Sequence, residues 1–188
     1  MEIKKNFMAK KINLNKFFKN KKILITGHTG FKGSWLSVWF LKFGCKVIGI
    51  SKNIPTKPSN LINLNLNKKI KNYFVEFKNF KEIKKIIVKE KPDIVFHFAA
   101  QAIVSESFDN PIDTVNTNTI GSLNILHTAS YLKKKCICIM ITSDKCYFNL
   151  EKNSGYKENS LLGGKDMYSG SKAAAEIVLN SYFHSFNI

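Results

Sequence analysis

The sequence is poor in acidic residues and has no arginine. Its 188 residues contain 13 Asp and Glu against 30 basic residues, all lysine, and the formal net charge is +17. Such a charge ordinarily indicates nucleic acid or an anionic membrane as a partner. The lysines are spread along the whole chain, however, and they are not interleaved with aromatic residues as in nucleic-acid-binding surfaces. We therefore interpret the charge as a solvated surface that mildly favours phosphorylated ligands, and we expect neither nucleic acid nor a membrane as a partner.

Cysteine is also scarce, and no hydrophobic run approaches the length of a membrane span. The four cysteines do not suggest a disulfide framework, and Cys136 and Cys138 are expected to share one face of a strand as small core residues. The four histidines lack the spacing of zinc ligands, so we expect no metal site. Residues 1–20 are basic without the apolar core of a signal peptide, and we interpret them as an amino-terminal arm of a cytoplasmic protein.

The chain does contain a glycine-rich turn between an apolar run and an amphipathic run. The segment Ile23–Gly33 places glycine at positions 27, 30 and 33. Glycine at the first position permits a tight turn, the second lets the backbone approach a ligand, and the third lets the helix pack on the strand. Because the first turn of a helix offers unpaired N–H groups, the pattern predicts a site for the pyrophosphate of a dinucleotide.

Strand and helix patterns alternate along the rest of the chain. This alternation predicts an α/β fold, a Rossmann-like doubly wound parallel sheet over residues 21–188, with a loop over 53–67. The expected strands lie at 22–26, 46–50, 73–77, 93–101 and 136–142, and the expected later helices at 80–90, 111–132 and from 167 onward.

The residues at the tip of the second strand do not indicate whether NAD or NADP is bound. An acidic residue at this position commonly bonds the adenosine ribose of NAD. Here Ser51 and Lys52 occupy it instead, so the choice between NAD and NADP stays open on this feature.

Two groups of residues can carry chemistry. Tyr168 and Lys172 are four residues apart, so on a helix both side chains share one face, and an ammonium beside a phenol favours the phenolate that takes a proton from a sugar hydroxyl. Ser143, Asp144 and Lys145 follow the fifth strand, at the sheet edge where ligands bind in such folds. The pattern indicates a hydride-transfer enzyme, although a surface pair and a solvated turn are the alternatives.

These motifs resemble the extended short-chain dehydrogenase/reductase superfamily and, within its NAD-dependent sugar-nucleotide epimerases and dehydratases, the amino-terminal portion of the CDP-glucose 4,6-dehydratases. Related dehydratases that use dTDP-glucose carry Thr-Asp-Glu where this chain has Ser143-Asp144-Lys145. The resemblance extends from about residue 15 to the last residue, and it rests on the segments 27–35, 92–97, 99–101, 142–147, 155–156 and 168–172.

The resemblance implies a set of residues that bind NAD. Two flank the adenine, Glu76 and Phe77, and Asn118 matches a buried helix asparagine of the superfamily. The pyrophosphate and the rest of the cofactor are bordered by Gly27, Thr29, Gly30, Phe31, Lys32, Gly33, Ala99, Ala100, Gln101, Tyr168 and Lys172.

The resemblance also implies the reaction, an internal redox elimination on CDP-glucose. Tyr168 would take the proton of the C4 hydroxyl while hydride passes from C4 to NAD, and Ser143 would hold that hydroxyl. Water would then leave across C5 and C6, with Lys145 as base and Asp144 as acid, before hydride returns to C6. The product, CDP-4-keto-6-deoxyglucose, is a precursor of deoxysugars in surface polysaccharides.

Members of the superfamily are nearly twice as long, so we expect the carboxyl-terminal substrate domain to be missing. A catalytically silent NAD-binding fragment and another epimerase or reductase of the superfamily are therefore the alternatives. A homodimer through the helices at 111–132 and 167–186 is the expected assembly.

Overall fold

A computed structural model describes residues 13–186 and shows one parallel sheet covered by helices on both faces. The five strands lie in the order β3-β2-β1-β4-β5, and each neighbouring pair is parallel. The strands are β1 (Lys22–Thr26), β2 (Lys46–Ser51), β3 (Lys71–Phe74), β4 (Ile94–His97) and β5 (Ile137–Met140). The predicted α/β Rossmann-like fold is thus confirmed.

Within the described residues, nine α-helices precede, connect or follow the strands. Two further helical segments are a π-helical stretch, Asn116–Ile120, and a 3-10 turn, Asp144–Cys146. The α-helices are α1 (Leu14–Phe18), α2 (Phe31–Lys42), α3 (Asn60–Asn63), α4 (Leu66–Lys69), α5 (Phe80–Glu90), α6 (Glu106–Asp109), α7 (Pro111–Val115), α8 (Gly121–Ala129) and α9 (Met167–Phe186).

The core consists of two layers, one on each face of the sheet. Successive side chains of a strand point to opposite faces, so Leu24 packs in one layer while its neighbours Ile23 and Ile25 pack in the other. The first layer lies against α5 and α8, and the second lies against α2, α3 and α4. Because both faces are covered, the apolar run of β1 is buried along nearly its whole length, as expected of a parallel strand.

Most predicted element boundaries agree with the structure to within two residues, and four do not. The strand predicted over 93–101 is shorter, because β4 spans Ile94–His97 and residues 99–101 lie in the loop beyond it. β3 spans Lys71–Phe74 rather than 73–77, so residues 76 and 77 lie beyond its end. The helix predicted over 111–132 is interrupted by the π-helical stretch and ends at Ala129. The predicted loop over 53–67 contains α3 and the start of α4, because Leu61 and Leu66 are buried in the core layer beside α2.

Part of the predicted amino-terminal arm is described. Residues 1–12 lie outside the described residues, whereas α1 is capped by Asn13, whose side chain accepts a hydrogen bond from the N–H of Lys16. The Phe18 ring packs edge-on against Phe40 and stacks on Phe43, with centroid distances of 5.1 and 5.7 Å. The arm from residue 13 onward is therefore joined to α2 by aromatic contacts.

No helix within residues 13–186 combines the length and apolar character that crossing a membrane requires. All four cysteines carry free thiols.

Candidate active site

The glycine turn lies at the carboxyl end of β1 and is closed by backbone contacts. Gly27 has a φ of +71° and donates its N–H to the carbonyl of Ile50 at 2.8 Å. A Cβ at Gly33 would lie 2.3 Å from the Gly27 oxygen, and one at Gly27 would lie 2.9 Å from the nitrogen of Ala99. Side chains would therefore separate the turn from both α2 and β4, which is the physical reason for glycine here.

The first turn of α2 faces the open edge of the sheet without a side-chain cap. Its N-cap is Gly30, and the first turn carries no acidic residue. The N–H groups of this turn and the positive end of the helix dipole suit an anion. Phe31 and Lys32 are exposed beside it. The close backbone approach and the uncapped helix start fit the pyrophosphate of a dinucleotide.

Thr29 joins the glycine turn to the tip of β2. Its hydroxyl donates to the carbonyl of Asn53 at 2.8 Å, and its N–H donates to the Ser51 hydroxyl at 3.4 Å. The buried ring of His28 accepts from Ser51 and donates to Asn72 on β3, each at 2.9 Å. Burial lowers the pKa of His28, although the Ile50 carbonyl and Asn72 oppose this. These residues hold the turn in place, and the hydroxyl of Thr29 is engaged in one of the hydrogen bonds that do so.

The loop after β4 is held to the helical layer by Gln101. The backbone N–H of Gln101 donates to the side-chain oxygen of Asn118 at 2.8 Å. The side chain of Gln101 donates to the hydroxyl of Thr114 and accepts from the N–H of Ile103. Ala99 is buried and Ala100 is half-buried just before it. The backbone of Ala99 thus lies close against the glycine turn, while the Gln101 side chain fixes the loop.

Asn118 connects three elements at the centre of the site. It lies in the π-helical stretch, it is fully buried, and its side-chain amide donates to the Gln101 carbonyl and to the hydroxyl of Ser171. Next to it, Thr119 donates to the backbone carbonyl of Ser171. π-helical turns inside α-helices are frequent at functional sites. Here the extra residue places Asn118 and Thr119 against α9.

His97 at the end of β4 is a site residue that sequence reasoning missed. Ser122 donates its hydroxyl to the Asn118 carbonyl and so accepts from Nε2 of His97 at 2.9 Å. This leaves Nδ1 to accept from the hydroxyl of Thr26 at 2.7 Å, and Thr26 in turn accepts from the Ala99 N–H. Burial, aided by the charge of Lys172, lowers the pKa of the imidazole to about 3. The neutral ring joins β1 to α8. Its position in an apolar strand was the available signal.

The segment after β5 turns back toward α9. Ser143 begins the 3-10 turn, and its hydroxyl accepts from the N–H of Lys145 at 3.2 Å and donates to Asp144 at 3.1 Å. Asp144 and Lys145 are exposed, whereas Cys146 is buried in the contact with α9. The turn therefore presents the hydroxyl, the carboxylate and the ammonium on consecutive residues at the sheet edge.

Glu176 attaches this turn to α9. The hydroxyl of Thr142, just before the turn, donates to the Glu176 carboxylate. Glu176 lies one helical turn beyond Lys172, and its charge contributes to raising the pKa of the Cys146 thiol, for which burial is the larger cause. Sequence reasoning missed Glu176 because a single glutamate in an alanine-rich helix carries no chemical signal.

Tyr168 and Lys172 are both buried on α9, with 9% and 4% of their surfaces exposed. Their spacing of four residues in a helix puts them on one face, as predicted. Burial lowers the pKa of Lys172, and the nearby Cys146 thiol opposes this effect. A buried lysine with a lowered pKa, beside a buried phenol, is the kind of pair that functional sites use for proton transfer.

The start of α9 is fixed by two side chains. Ser107 on α6 accepts a hydrogen bond from the N–H of Tyr168 at 3.2 Å. Asp166 accepts from the N–H and the hydroxyl of Ser169 at 2.9 and 2.7 Å, which is an N-cap arrangement. The backbone of Tyr168 is therefore held from both sides.

The predicted adenine residues have different environments. The Phe77 side chain is buried in the core, where it packs against Gly121 and lies 6.0 Å from the His97 ring between centroids. Glu76 is half-buried, and its carboxylate lies 3.4 Å from the Lys52 ammonium. The ring of Phe77 is thus occupied by core packing, and contact of either residue with adenine stays a prediction.

The structure brings the predicted residues to one edge of the sheet. The glycine turn follows β1, Ala99 to Gln101 follow β4, and Ser143 to Lys145 follow β5, so all three groups lie at the carboxyl ends of parallel strands. α9 packs against the 3-10 turn and brings Tyr168 and Lys172 to this edge. Within residues 13–186, no group of three or more His, Cys, Asp or Glu side chains gathers as metal ligands would.

The known proteins that are similar to this chain agree on its family. The family model of GDP-mannose 4,6 dehydratase matches residues 24–188. The chain is 41% identical to CDP-glucose 4,6-dehydratase of Salmonella typhimurium over 90% of this chain and 47% of that protein. It is 33% identical to dTDP-D-glucose 4,6-dehydratase of Dictyostelium discoideum over 89% of this chain and 42% of that protein. The chain thus spans about half the length of these relatives.

Solved structures agree on the fold. UDP-glucose 4-epimerase of Thermus thermophilus, in complex with NAD, superposes with a TM-score of 0.76 at 25% identity, over 89% of this chain and 52% of that one. An epimerase from Methanothermobacter thermautotrophicus reaches a TM-score of 0.80 at 23% identity, over 93% of this chain and 51% of that one.

The fold and the site define a dinucleotide-binding domain of the sugar-nucleotide dehydratase and epimerase class. Within that class, the chain belongs to the GDP-mannose 4,6 dehydratase family.

Proposed function

We propose that this chain binds NAD and supplies the catalytic residues of a sugar-nucleotide 4,6-dehydratase that converts CDP-glucose to CDP-4-keto-6-deoxyglucose. The observation that carries the proposal is the buried pair Tyr168 and Lys172, on the helix that packs against Ser143–Asp144–Lys145. The 41% identity to a CDP-glucose 4,6-dehydratase supports the substrate.

The glycine turn and the uncapped start of α2 would hold the cofactor pyrophosphate, and the small residues at the end of β4 would border the rest. When bound, NAD supplies a hydride acceptor for C4 of the sugar and later a hydride donor for C6. The NAD complex of the Thermus thermophilus epimerase, which shares this fold, supports the choice of cofactor.

Proton transfer at C4 falls to Tyr168. Its phenolate accepts the proton of the C4 hydroxyl, and the Lys172 ammonium stabilises that phenolate before the transfer. Ser143 holds the same hydroxyl. Because Asp144 accepts the Ser143 hydroxyl hydrogen, the serine oxygen lone pairs are available to the sugar and to the Lys145 N–H.

Elimination falls to the two exposed residues of the 3-10 turn. Once C4 is a ketone, the hydrogen at C5 is acidic, and Lys145 removes it as the free amine while Asp144 gives a proton to the leaving C6 oxygen. A 4-epimerase is the second candidate, because the chain is also 29% identical to UDP-glucose 4-epimerase of Mycoplasma genitalium. Epimerisation at C4 needs no base at C5, so the adjacent acid and amine favour the dehydratase.

The chain spans about half the length of its relatives, so we also propose its oligomeric state and its cellular compartment. Two exposed apolar residues, Ile120 in the π-helical stretch at 40% and Ile177 on α9 at 54% exposure, support a homodimer through the helices predicted at 111–132 and 167–186. Four free thiols support a reducing compartment such as the cytoplasm.

The test is to incubate the 188-residue chain with NAD and CDP-glucose and to measure the 4-keto product by its absorbance in alkali, with NAD binding measured by calorimetry. Tyr168→Phe should lower turnover by about a hundredfold or more and leave NAD binding nearly unchanged. Lys145→Met should stop elimination while reduced cofactor still forms.

Tyr131→Phe is the matched control, because Tyr131 is exposed beyond the end of α8. Full turnover in Lys145→Met would remove its assignment as base. NAD binding without any product would reject dehydratase activity for this chain and leave a cofactor-binding domain. Interconversion of sugar epimers without dehydration would favour the second candidate.

A further inference from the structure

A lysine at the tip of β2 is held between two carboxylates. The ammonium of Lys52 lies 3.4 Å from Oε1 of Glu76 and 3.4 Å from Oδ2 of Asp113. Glu76 follows β3 and Asp113 lies on α7, so the three charges come from three elements. We call Lys52, Glu76 and Asp113 the ribose-edge cluster.

The cluster lies where a dinucleotide-binding fold reads the adenosine ribose. Residues on both sides of Lys52 contact the glycine turn, because Ser51 and Asn53 each bond to Thr29. The tip of β3 is joined to the same place by the bond from the Val75 N–H to the Ser51 carbonyl. In this fold the residue at the tip of the second strand meets the ribose 2′ position.

The cluster has a net charge of −1, from one ammonium and two carboxylates. Partial burial would lower the pKa of Lys52, but the charges of Asp113 and Glu76 outweigh it and raise the pKa, so the ammonium persists at neutral pH. A lysine alone at this position would attract a 2′-phosphate. With both carboxylates in place, the phosphate would meet a net negative group instead.

We propose that the ribose-edge cluster selects NAD over NADP, with Asp113 and Glu76 as the specificity-determining residues that occupy Lys52. The inference rests on the proposed NAD binding. The acidic residue that usually stands at the tip of the second strand is replaced here by two acids, one from the segment after β3 and one from α7. A cofactor with a free 2′-hydroxyl leaves the ion pairs intact, whereas a 2′-phosphate of about two negative charges must break them or lie beside them.

The test measures dissociation constants for NAD and NADP by calorimetry at fixed ionic strength. The wild-type chain should bind NAD more tightly. Asp113→Asn and Glu76→Gln should each strengthen the binding of NADP relative to that of NAD by about fivefold to tenfold, because each removes one negative charge near the 2′ position. The double variant should bind NADP at least as well as NAD, since Lys52 is then available to the phosphate. Lys52→Met should bind NADP more weakly than the wild type does.

Asp109→Asn is the matched control, because Asp109 is an exposed aspartate on neighbouring α6 and lies outside the cluster. The ratio of the two constants is the readout, so a loss of adenine contact in Glu76→Gln, which affects both cofactors equally, does not disturb it. The inference is overturned if the wild type binds NADP as tightly as NAD or if neither acid variant changes the ratio. If neither cofactor binds the wild type, the proposed function itself fails.

Discussion

His97 shows how one buried side chain can join the two halves of the site. It accepts from Thr26 on β1 and donates to Ser122 on α8, so its ring links the sheet to the helical layer. Both hydroxyls are buried with it. Since an unsatisfied buried hydroxyl costs about 1–3 kcal/mol, the neutral tautomer contributes to stability as well as to geometry.

We predict that protonation of His97 makes unfolding easier as the pH falls. The pKa of His97 is about 3 in the folded chain and near 6.5 in the unfolded chain, so below pH 6.5 the unfolded state binds one more proton. The free energy of unfolding should fall with pH from 6.5 downward, and His97 alone contributes about 1.4 kcal/mol per pH unit. Urea unfolding at several pH values between 7.5 and 5 measures this slope.

His97→Phe keeps the ring and removes the titration. At pH 7.5 it should be less stable by about 1–3 kcal/mol, and its curve should approach that of the wild type toward pH 5. His184→Phe, at an exposed position on α9, is the control and should leave the slope unchanged. Parallel curves for wild type and His97→Phe would refute the pKa of His97 as the cause.

At the scale of elements, the site depends on how closely two backbones approach. α2 packs on the end of β1 only because Gly33 has no side chain, and the first turn of α2 is thereby brought beside Gly27. Gly170 on α9 is the opposite case, since a Cβ there would meet no atom within 4 Å. The same substitution at these two glycines therefore separates close packing from helix propensity.

We predict that Gly33→Ala destabilises the chain and abolishes NAD binding, whereas Gly170→Ala stabilises it. The new methyl group at Gly33 must displace backbone, at a cost of about 3 kcal/mol or more. At Gly170, alanine restricts the unfolded chain and should add about 0.5–1 kcal/mol. Urea unfolding and NAD calorimetry measure both effects. Equal stabilities of the two variants would contradict the close approach of α2 and β1.

At the scale of the whole molecule, the described residues expose apolar side chains both on the helices beside the site and elsewhere. Ile177 is 54% exposed on α9, and Ile120 is 40% exposed at the end of the π-helical stretch. Ile62 on α3 is 48% exposed, but it lies on the opposite face of the sheet. Two residues of similar exposure thus lie inside and outside the proposed dimer face.

We predict a concentration-dependent dimer that Ile177→Lys weakens by about tenfold or more, because a charge would be buried in an apolar interface. Sedimentation velocity over a range of concentrations measures the dissociation constant. Ile62→Lys introduces the same change on α3 and should leave it unaltered. A monomer at all concentrations, or equal effects of the two variants, would exclude this interface.

The sequence by itself determined the α/β alternation, the bounds of β1 and α5, the glycine turn and the Tyr168–Lys172 pair. Local signals suffice for these features, because each depends on residues that are adjacent in the sequence: the burial of both faces of a strand, the helical periodicity and the steric freedom of glycine.

Only the tertiary structure decided the rest. Lys52 meets Asp113, Thr142 meets Glu176, and the imidazole of His97 meets Thr26 and Ser122, although these partners are far apart in the chain. Such pairs are created when parallel strands align their carboxyl ends and the helices pack across them, so no periodicity records them. The π-helical turn and the core position of Phe77 depend on packing for the same reason.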